Sequence, residues 1–424
     1  MSDLATIWDW LGFAVRWLHV IAAIAWIGDS FYFIALDLGL RPSTDRREGV
    51  AGEEWQVHGG GFYQMKKFTV APRELPDHLV WFKWQSYTTW LSGAALLAIV
   101  YWVGAELYLI DAAKADLAPW QAILISAGSL TIGWLVYDFL CKSGMATRPT
   151  LLMVLLFVLL MAMGWGYSQI FTGRAMMLHL GAFTATIMTA NVFFIIMPNQ
   201  RIVVADLKAG RTPDAKYGKI AKLRSTHNNY LTLPVLFLML SNHYPLAFAT
   251  EYSWIIAGLV FLMGVTIRHF FNTKHMGKPW PWWTWAVTAG LFVVIMWLST
   301  AGFEQDSYEE AGEAALTPRQ EMLAAVEGFE VVESIVLGRC SMCHARETAY
   351  DGVPYAPKHL FLETRPDILR AARQIYLQSG VSEAMPPANV SYMEPEERAA
   401  IRAWYRAAVA SLPVPYRLAE AAAD

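Results

Sequence analysis

Two of the three cysteines in this 424-residue chain stand in the run Cys340-Ser-Met-Cys343-His344. In this C-x-x-C-H spacing two thiols bond to the vinyl groups of a haem, and the next residue ligates its iron. The opposite axial ligand in such sites is usually a later methionine. Met385, in the Pro-Pro loop SEAMPPAN, fits that role, with Met342 and Met393 as nearby alternatives. A zinc half-site or a redox dithiol is the competing reading of the cysteines. It is disfavoured because there is no second cysteine pair and the histidine is adjacent.

Other chemistry-bearing residues are scattered through apolar sequence, where polar groups are costly and mark sites or pathways by default. His19 and His179 each follow a leucine at the start of a similar segment. Asp29, Asn191, Tyr137, Asp138, His227, Asn228, Asn229, Arg268, His269 and Asn272 form a second set. The asparagines donate and accept hydrogen bonds, Arg268 offers a planar donor fork, and His and Asp can move protons. Such a set suits a flat, anionic, amide-rich molecule. In the run WQVHGGGFYQMKK, from Trp55, three glycines would let backbone approach a ligand closely. The bland alternative is that Arg268, Lys66 and Lys67 only meet lipid phosphates. Asp29 needs a function or a partner, and Arg268 is a candidate. Asp37 reads as solvated, Cys141 as structural and His243 as interfacial.

The elements that must position these residues are membrane helices. The chain is 55% hydrophobic and 16% charged, with 19 Trp, outside the usual range for a soluble domain. Crossing ~30 Å of hydrocarbon takes about 20 apolar residues. Eight runs qualify, at 8–38, 84–110, 119–141, 149–171, 175–197, 227–249, 253–271 and 280–300. Asp3 and Asp9 argue against a cleavable leader. The alternate connections beginning with the first carry 18 Lys and Arg, and the others carry two. Basic loops stay cytoplasmic, so both termini are expected on the outer side of the membrane. Haem attachment of this type also occurs outside the cytoplasm.

From residue 301 onward the chain has 11 basic and 19 acidic residues. The organisation expected is a transmembrane part (1–300), an acidic linker (301–318) and a periplasmic cytochrome c domain (319–424). One helix, EMLAAVEGFEVVESIVLGRC, should precede the haem motif, and EPEERAAIRAWYRAAVASL should close the domain. An acidic domain would best steer a basic soluble partner.

The transmembrane part reads as a repeat. WLHVIAAIAWIGDSFYFI matches MLHLGAFTATIMTANVFFII, QSYTTWLS matches STHNNYLT, and GWLVYDFLCKS matches GVTIRHFFNTK. Four helices followed by four similar ones make a parallel 4+4 repeat, whose equivalent residues face each other at equal depth. The expected fold class is all-α: an eight-helix bundle followed by a small class I cytochrome c domain. His19 and His179 would then be placed to hold a b-type haem between them. The alternatives are that each histidine is simply hydrogen-bonded within the bundle, or that His227 and His269 form the pair.

The whole chain resembles the bacterial membrane-bound cytochrome c urate oxidase family, also called urate hydroxylase. RWLHVIAAIAWIGDSFYF, HNNYLTLPVLFLMLSNHYP, NVFFIIMPNQR and RCSMCHA carry the likeness over nearly the full length. A weaker resemblance links the first span to membrane protoporphyrinogen oxidases and copper-resistance membrane proteins. The stronger one implies oxidation of urate to 5-hydroxyisourate with water as oxygen source. Electrons would leave through covalent haem c to a soluble cytochrome c or a terminal oxidase, without hydrogen peroxide. A base such as His227, His269 or Asp29 would assist, and a membrane haem b would relay electrons between an inner substrate and an outer haem. No motif assigns the urate contacts. Nucleic acid is not an expected partner, and a homodimer is left open. The competing classes are a non-catalytic or quinol-linked electron conduit, and an oxidase of a porphyrin or other heterocycle.

Overall fold

The computed structural model describes residues 4–43, 49–72, 75–300, 316–351, 353, 356–357 and 360–413. Most of the expected acidic linker, residues 301–315, lies outside them. The described chain is mostly helical.

Five helices are long and apolar enough to cross a membrane: Ile7–Gly39, Pro119–Lys142, Pro149–Ser168, Gly173–Lys208 and Ser253–His275. The first belongs to α1 (Leu4–Gly39), which packs along α2 (Trp84–Leu96). Beyond Leu96 the wider π-helical turns Leu97–Trp102 and Ala105–Leu109 replace the single span expected over 84–110. Then come α3 (Pro119–Lys142), α4 (Pro149–Ser168) and α5 (Gly173–Ala190). A further π turn, Asn191–Ile196, joins α5 to α6 (Met197–Lys208). Next is α7 (Ala215–Leu240), starting 12 residues earlier than expected and ending before the short α8 (Pro245–Phe248). This shift takes α7 out of the clearly apolar set, because its first three turns carry four Lys or Arg. The bundle ends with α9 (Ser253–His275) and the shorter apolar α10 (Trp283–Thr300).

Local chemistry fixes several of these ends. Proline begins α3 and α4, where a missing N–H costs nothing. The Thr172 hydroxyl accepts the Ala175 N–H at 3.1 Å to cap α5. Hydroxyls facing the apolar interior bond back to their own helix, as Thr89 does to the Gln85 carbonyl at 2.7 Å. A Cβ on Gly264 would fall 2.6 Å from Pro234 Cδ, so glycine lets α9 lie close against α7. α5 is central, touching α3, α4, α7 and α9, and buries Met176, Met177, Phe183 and Ile187.

The glycine-rich run expected to approach a ligand forms a hairpin instead. β1 (Val50–His58) pairs antiparallel with β2 (Gly61–Phe68). Gly59 and Gly60 have φ of 57° and 78°, the left-handed conformations that a two-residue turn requires. Those two glycines serve the turn.

The C-terminal domain packs α11 (Pro318–Ala324), α12 (Phe329–Arg339), α13 (Ser341–His344), α14 (Arg365–Arg370), α15 (Ala372–Ile375) and α16 (Pro395–Ser411) around one core. The single helix expected before the motif is two, because Gly328 takes φ 97° and breaks the run. The Phe329 and Trp404 rings, 5.3 Å apart, join α12 to α16.

Candidate functional site

Three helices meet at a buried polar network near the far end of α3. Arg224 leads the face of α7 that also carries His227 and Asn228, at helical spacings of three and four residues. Its guanidinium is 2% exposed. Nη2 donates to Asp138 Oδ1 at 2.6 Å, and Nη1 donates to Asn191 Oδ1 at 3.0 Å. Asn191 Nδ2 in turn donates to the Tyr137 hydroxyl at 2.9 Å and to Asn228 Oδ1 at 3.0 Å. The Tyr137 hydroxyl lies 2.8 Å from His227 Nδ1. Asn228 is fixed by donating to the Met188 carbonyl at 2.9 Å.

One atom in this network is left over. His227 is 1% exposed, and its Nε2 is buried with no hydrogen-bond partner among the described residues. If Nδ1–H donates to Tyr137, Nε2 presents a lone pair. If Tyr137 donates instead, Nε2 presents an N–H. Either is destabilising by ~1–3 kcal/mol in an apolar interior unless something else meets it. Cys141, expected to be merely structural, has its Sγ 4.0 Å from the same imidazole.

The residues expected around one mouth divide into two groups. Asn229 Oδ1 accepts from Arg268 Nε at 2.9 Å, and Asn272 Oδ1 accepts from Arg268 Nη2 at 3.2 Å. The Arg268 guanidinium lies 4.2 Å from the Phe31 ring. Arg268 is therefore bound to amides, and no ion pair with Asp29 forms among the described residues. His269, on another face of α9, is exposed beside Trp283. Asp37 pairs with Lys67 at 2.7 Å, both exposed.

Sequence reasoning missed Arg224, which the basic-loop pattern had absorbed as one of the charges of an inner connection. Its signal was the i, i+3, i+4 run Arg224, His227, Asn228.

His179 and His19 differ in setting. The His179 ring is fully buried among Tyr101, Tyr167 and Phe171. Its Nε2 meets Ser126 Oγ at 2.8 Å, and its Nδ1 meets the Ala175 carbonyl at 2.8 Å. His19 Nδ1 meets the Thr89 carbonyl at 2.9 Å and Ser92 Oγ at 3.1 Å. Its ring lies against Gly93, where a Cβ would come within 2.9 Å. An axial ligand needs one unengaged nitrogen. With both His179 nitrogens hydrogen-bonded, these residues do not fit a shared haem site as they stand.

The C-x-x-C-H run does fit. Cys340, Cys343 and His344 follow one another around the short turn of α13. His344 Nδ1 lies 2.9 Å from the Leu360 carbonyl, which orients the ring. Met385 lines the same cavity as Cys340, Cys343 and His344, of about 1610 Å³, with Leu360, Phe361 and Ile375 as apolar wall. Arg398 Nη1 holds the Met385 loop by donating to its carbonyl at 2.9 Å. Met342 also lines the cavity, whereas Met393 is packed into the domain core. Burial pushes the Cys340 thiol up to about 12, with Cys343 adding to the effect.

The two sites lie at opposite ends of the bundle. The cavity touches Lys114, Pro119 and His243, and the polar network contains Asp138. Along α3, 19 residues separate Pro119 from Asp138, ~29 Å of helix.

Fold and sites thus define a helical protein with membrane-length spans and a C-terminal domain bearing a C-x-x-C-H run. The profile described as urate oxidase, N-terminal, matches residues 5–299. The chain belongs to that family, and membership suggests oxidoreductase activity on urate. No curated protein and no solved structure matches the chain.

Proposed function

We propose that the chain is a membrane-bound urate oxidase. It converts urate and water to 5-hydroxyisourate, two protons and two electrons, and the electrons leave through the C-terminal domain. The unpartnered Nε2 of buried His227 carries this reading, within a chain whose family is tied to urate. With Nδ1–H donated to Tyr137, Nε2 takes a proton from the purine as two electrons depart. Loss of the electrons leaves an electrophilic ring that water attacks, and a base assists that step as well. The Arg224–Asn191–Tyr137 chain orients the imidazole, with Asp138 holding Arg224 in place. Asn229 and Arg268 add amide and guanidinium groups suited to purine carbonyls.

A haem held by Cys340, Cys343, His344 and Met385 supplies, when bound, a one-electron acceptor at the other end of the bundle. The carrier beyond it is a soluble cytochrome c or a terminal oxidase, and no hydrogen peroxide forms. A cytoplasmic urate site, periplasmic termini and an inner-membrane location belong to the same reading, supported by the distribution of Lys and Arg. So does the 4+4 repeat, supported by the equivalent pairings of α1 with α2 and of α5 with α7.

The test is direct. Purified, oxidised protein is mixed with excess urate under nitrogen, and reduced c-type absorption bands are expected. If the bands never appear although dithionite produces them, urate is not the electron donor. The electron-conduit alternative then gains, and reduction by a quinol would mark it.

A further inference from the structure

The cavity at the attachment motif is shared between the two halves of the chain. Part of its wall comes from the end of the bundle where α5 begins, including Arg16, Tyr108 and Arg174. There Gln374 Nε2 donates to the Tyr108 hydroxyl at 2.9 Å and joins the halves. Several cations on this wall are already matched. Lys114 lies 3.3 Å from Asp111, Arg346 2.8 Å from Glu363 and Arg370 3.4 Å from Asp367.

Arg174 is different. Its guanidinium lies 4.9 Å from the Tyr108 ring centroid and interacts with the Tyr101 hydroxyl rather than with a carboxylate. Its Nε–H is buried with no hydrogen-bond partner among the described residues. It is the second residue of α5, where the unpaired N–H groups of the helix add positive potential. A buried guanidinium N–H is destabilising unless an acceptor reaches it. The geometry therefore calls for an anion that enters from the cavity. From the C-terminal domain, Arg373 lines the same cavity and is 2% exposed.

We propose that Arg174 anchors a carboxylate of the haem attached at Cys340 and Cys343, so that the cofactor locks the C-terminal domain onto the bundle. This rests on the c-type attachment proposed above. Haem carries two propionates, which match the planar guanidinium fork better than a point charge does. The anchor also stands beside a series of rings that leads into the bundle. Tyr108 lies 6.4 Å from Tyr101, and Tyr101 lies 5.7 Å from His179. Arg174 is thus a positioning residue, fixing the domain at the end of that series.

The full-length, haem-loaded protein in detergent tests this with Arg174→Gln and Arg174→Lys. One readout is the midpoint potential of the c-type haem, and the other is hydrogen exchange over residues 365–381. Arg174→Gln removes a cation that favours the more negative reduced form, so the potential falls and exchange rises severalfold. Arg174→Lys, the gentler change, keeps the charge and loses the fork. Its potential stays near the wild-type value while exchange still rises. Wild-type potential and exchange in Arg174→Gln, or wild-type exchange in both variants, overturns the anchor while leaving the attachment reading intact. A pyridine haemochrome assay showing no covalent haem in the wild-type protein overturns both.

Discussion

His227 and His344 serve opposite ends of the molecule, and each has Nδ1 already held. The Leu360 carbonyl does this for His344, and the Tyr137 hydroxyl does it for His227. The supports differ in kind. His344 depends on a backbone atom and on a motif five residues long, so few side-chain changes elsewhere should disturb it. His227 depends on side chains from α3, α7 and the turn after α5, so its orientation is only as firm as that buried network. A local motif fixes chemistry by sequence, whereas a network fixes it by packing.

The largest expected effect removes the local motif. Cys340→Ala combined with Cys343→Ala should abolish covalent haem and all urate-dependent reduction of an added cytochrome c. The polar network at the other end should remain folded. A pyridine haemochrome spectrum and an anaerobic urate assay check this. Covalent haem in the double variant would defeat the attachment reading.

Next comes the network. His227→Gln keeps a polar side chain but removes the base, and turnover should fall ~10²- to 10⁴-fold, the usual range for general acid–base catalysis. The dithionite-reduced c-type spectrum should be unchanged. Stopped-flow reduction by urate measures the difference, and a loss of less than threefold would exclude His227 as the base. Tyr137→Phe, which leaves the imidazole in place but unoriented, should cost less.

Legibility in the sequence followed the same division. Cys340, Cys343 and His344 stood out because their spacing suggests a chemistry, and Met385 because of its Pro-Pro loop; the structure adds that all four line one cavity. Apolar run length gave the five clearest spans. Polar residues inside the helices were readable as a set but not as groupings. Burial put Arg268 with Asn229 and Asn272, set His227 with Tyr137, and left His269 on the surface. Arg224 was invisible because in a basic connection one more arginine carries no signal until α7 is known to begin at Ala215. Gly328 and the Gly59-Gly60 turn were misjudged for a related reason: glycine signals permission, and only the surrounding chain decides how it is used.

A smaller effect separates the buried ion pair from its exposed neighbour. Asp138 holds Arg224 at 2.6 Å on one side and Lys142 at 2.6 Å on the other. Asp138→Ala leaves the buried guanidinium uncompensated and should lower stability by ~3–5 kcal/mol. Lys142, 64% exposed, should lose only ~0–1 kcal/mol on conversion to Ala. Thermal unfolding in detergent compares the two. Equal losses would mean that Arg224 finds another counter-charge once Asp138 is gone.

An effect smaller than that of Asp138 concerns the third histidine. His179 has both nitrogens engaged, so Ser126→Ala strands Nε2 and should cost ~1–3 kcal/mol. Haem content should not change. A b-type haem held by His179 requires the opposite: the Ser126 bond must already be broken in the loaded protein, so its removal should cost nothing. The haemochrome count separates the cases independently, at one covalent haem per chain or at one covalent plus one extractable. One haem and a destabilised Ser126→Ala variant would make His179 a packing residue beside Tyr101. Two haems and a neutral variant would mean that the bundle rearranges around His179 when a second cofactor enters.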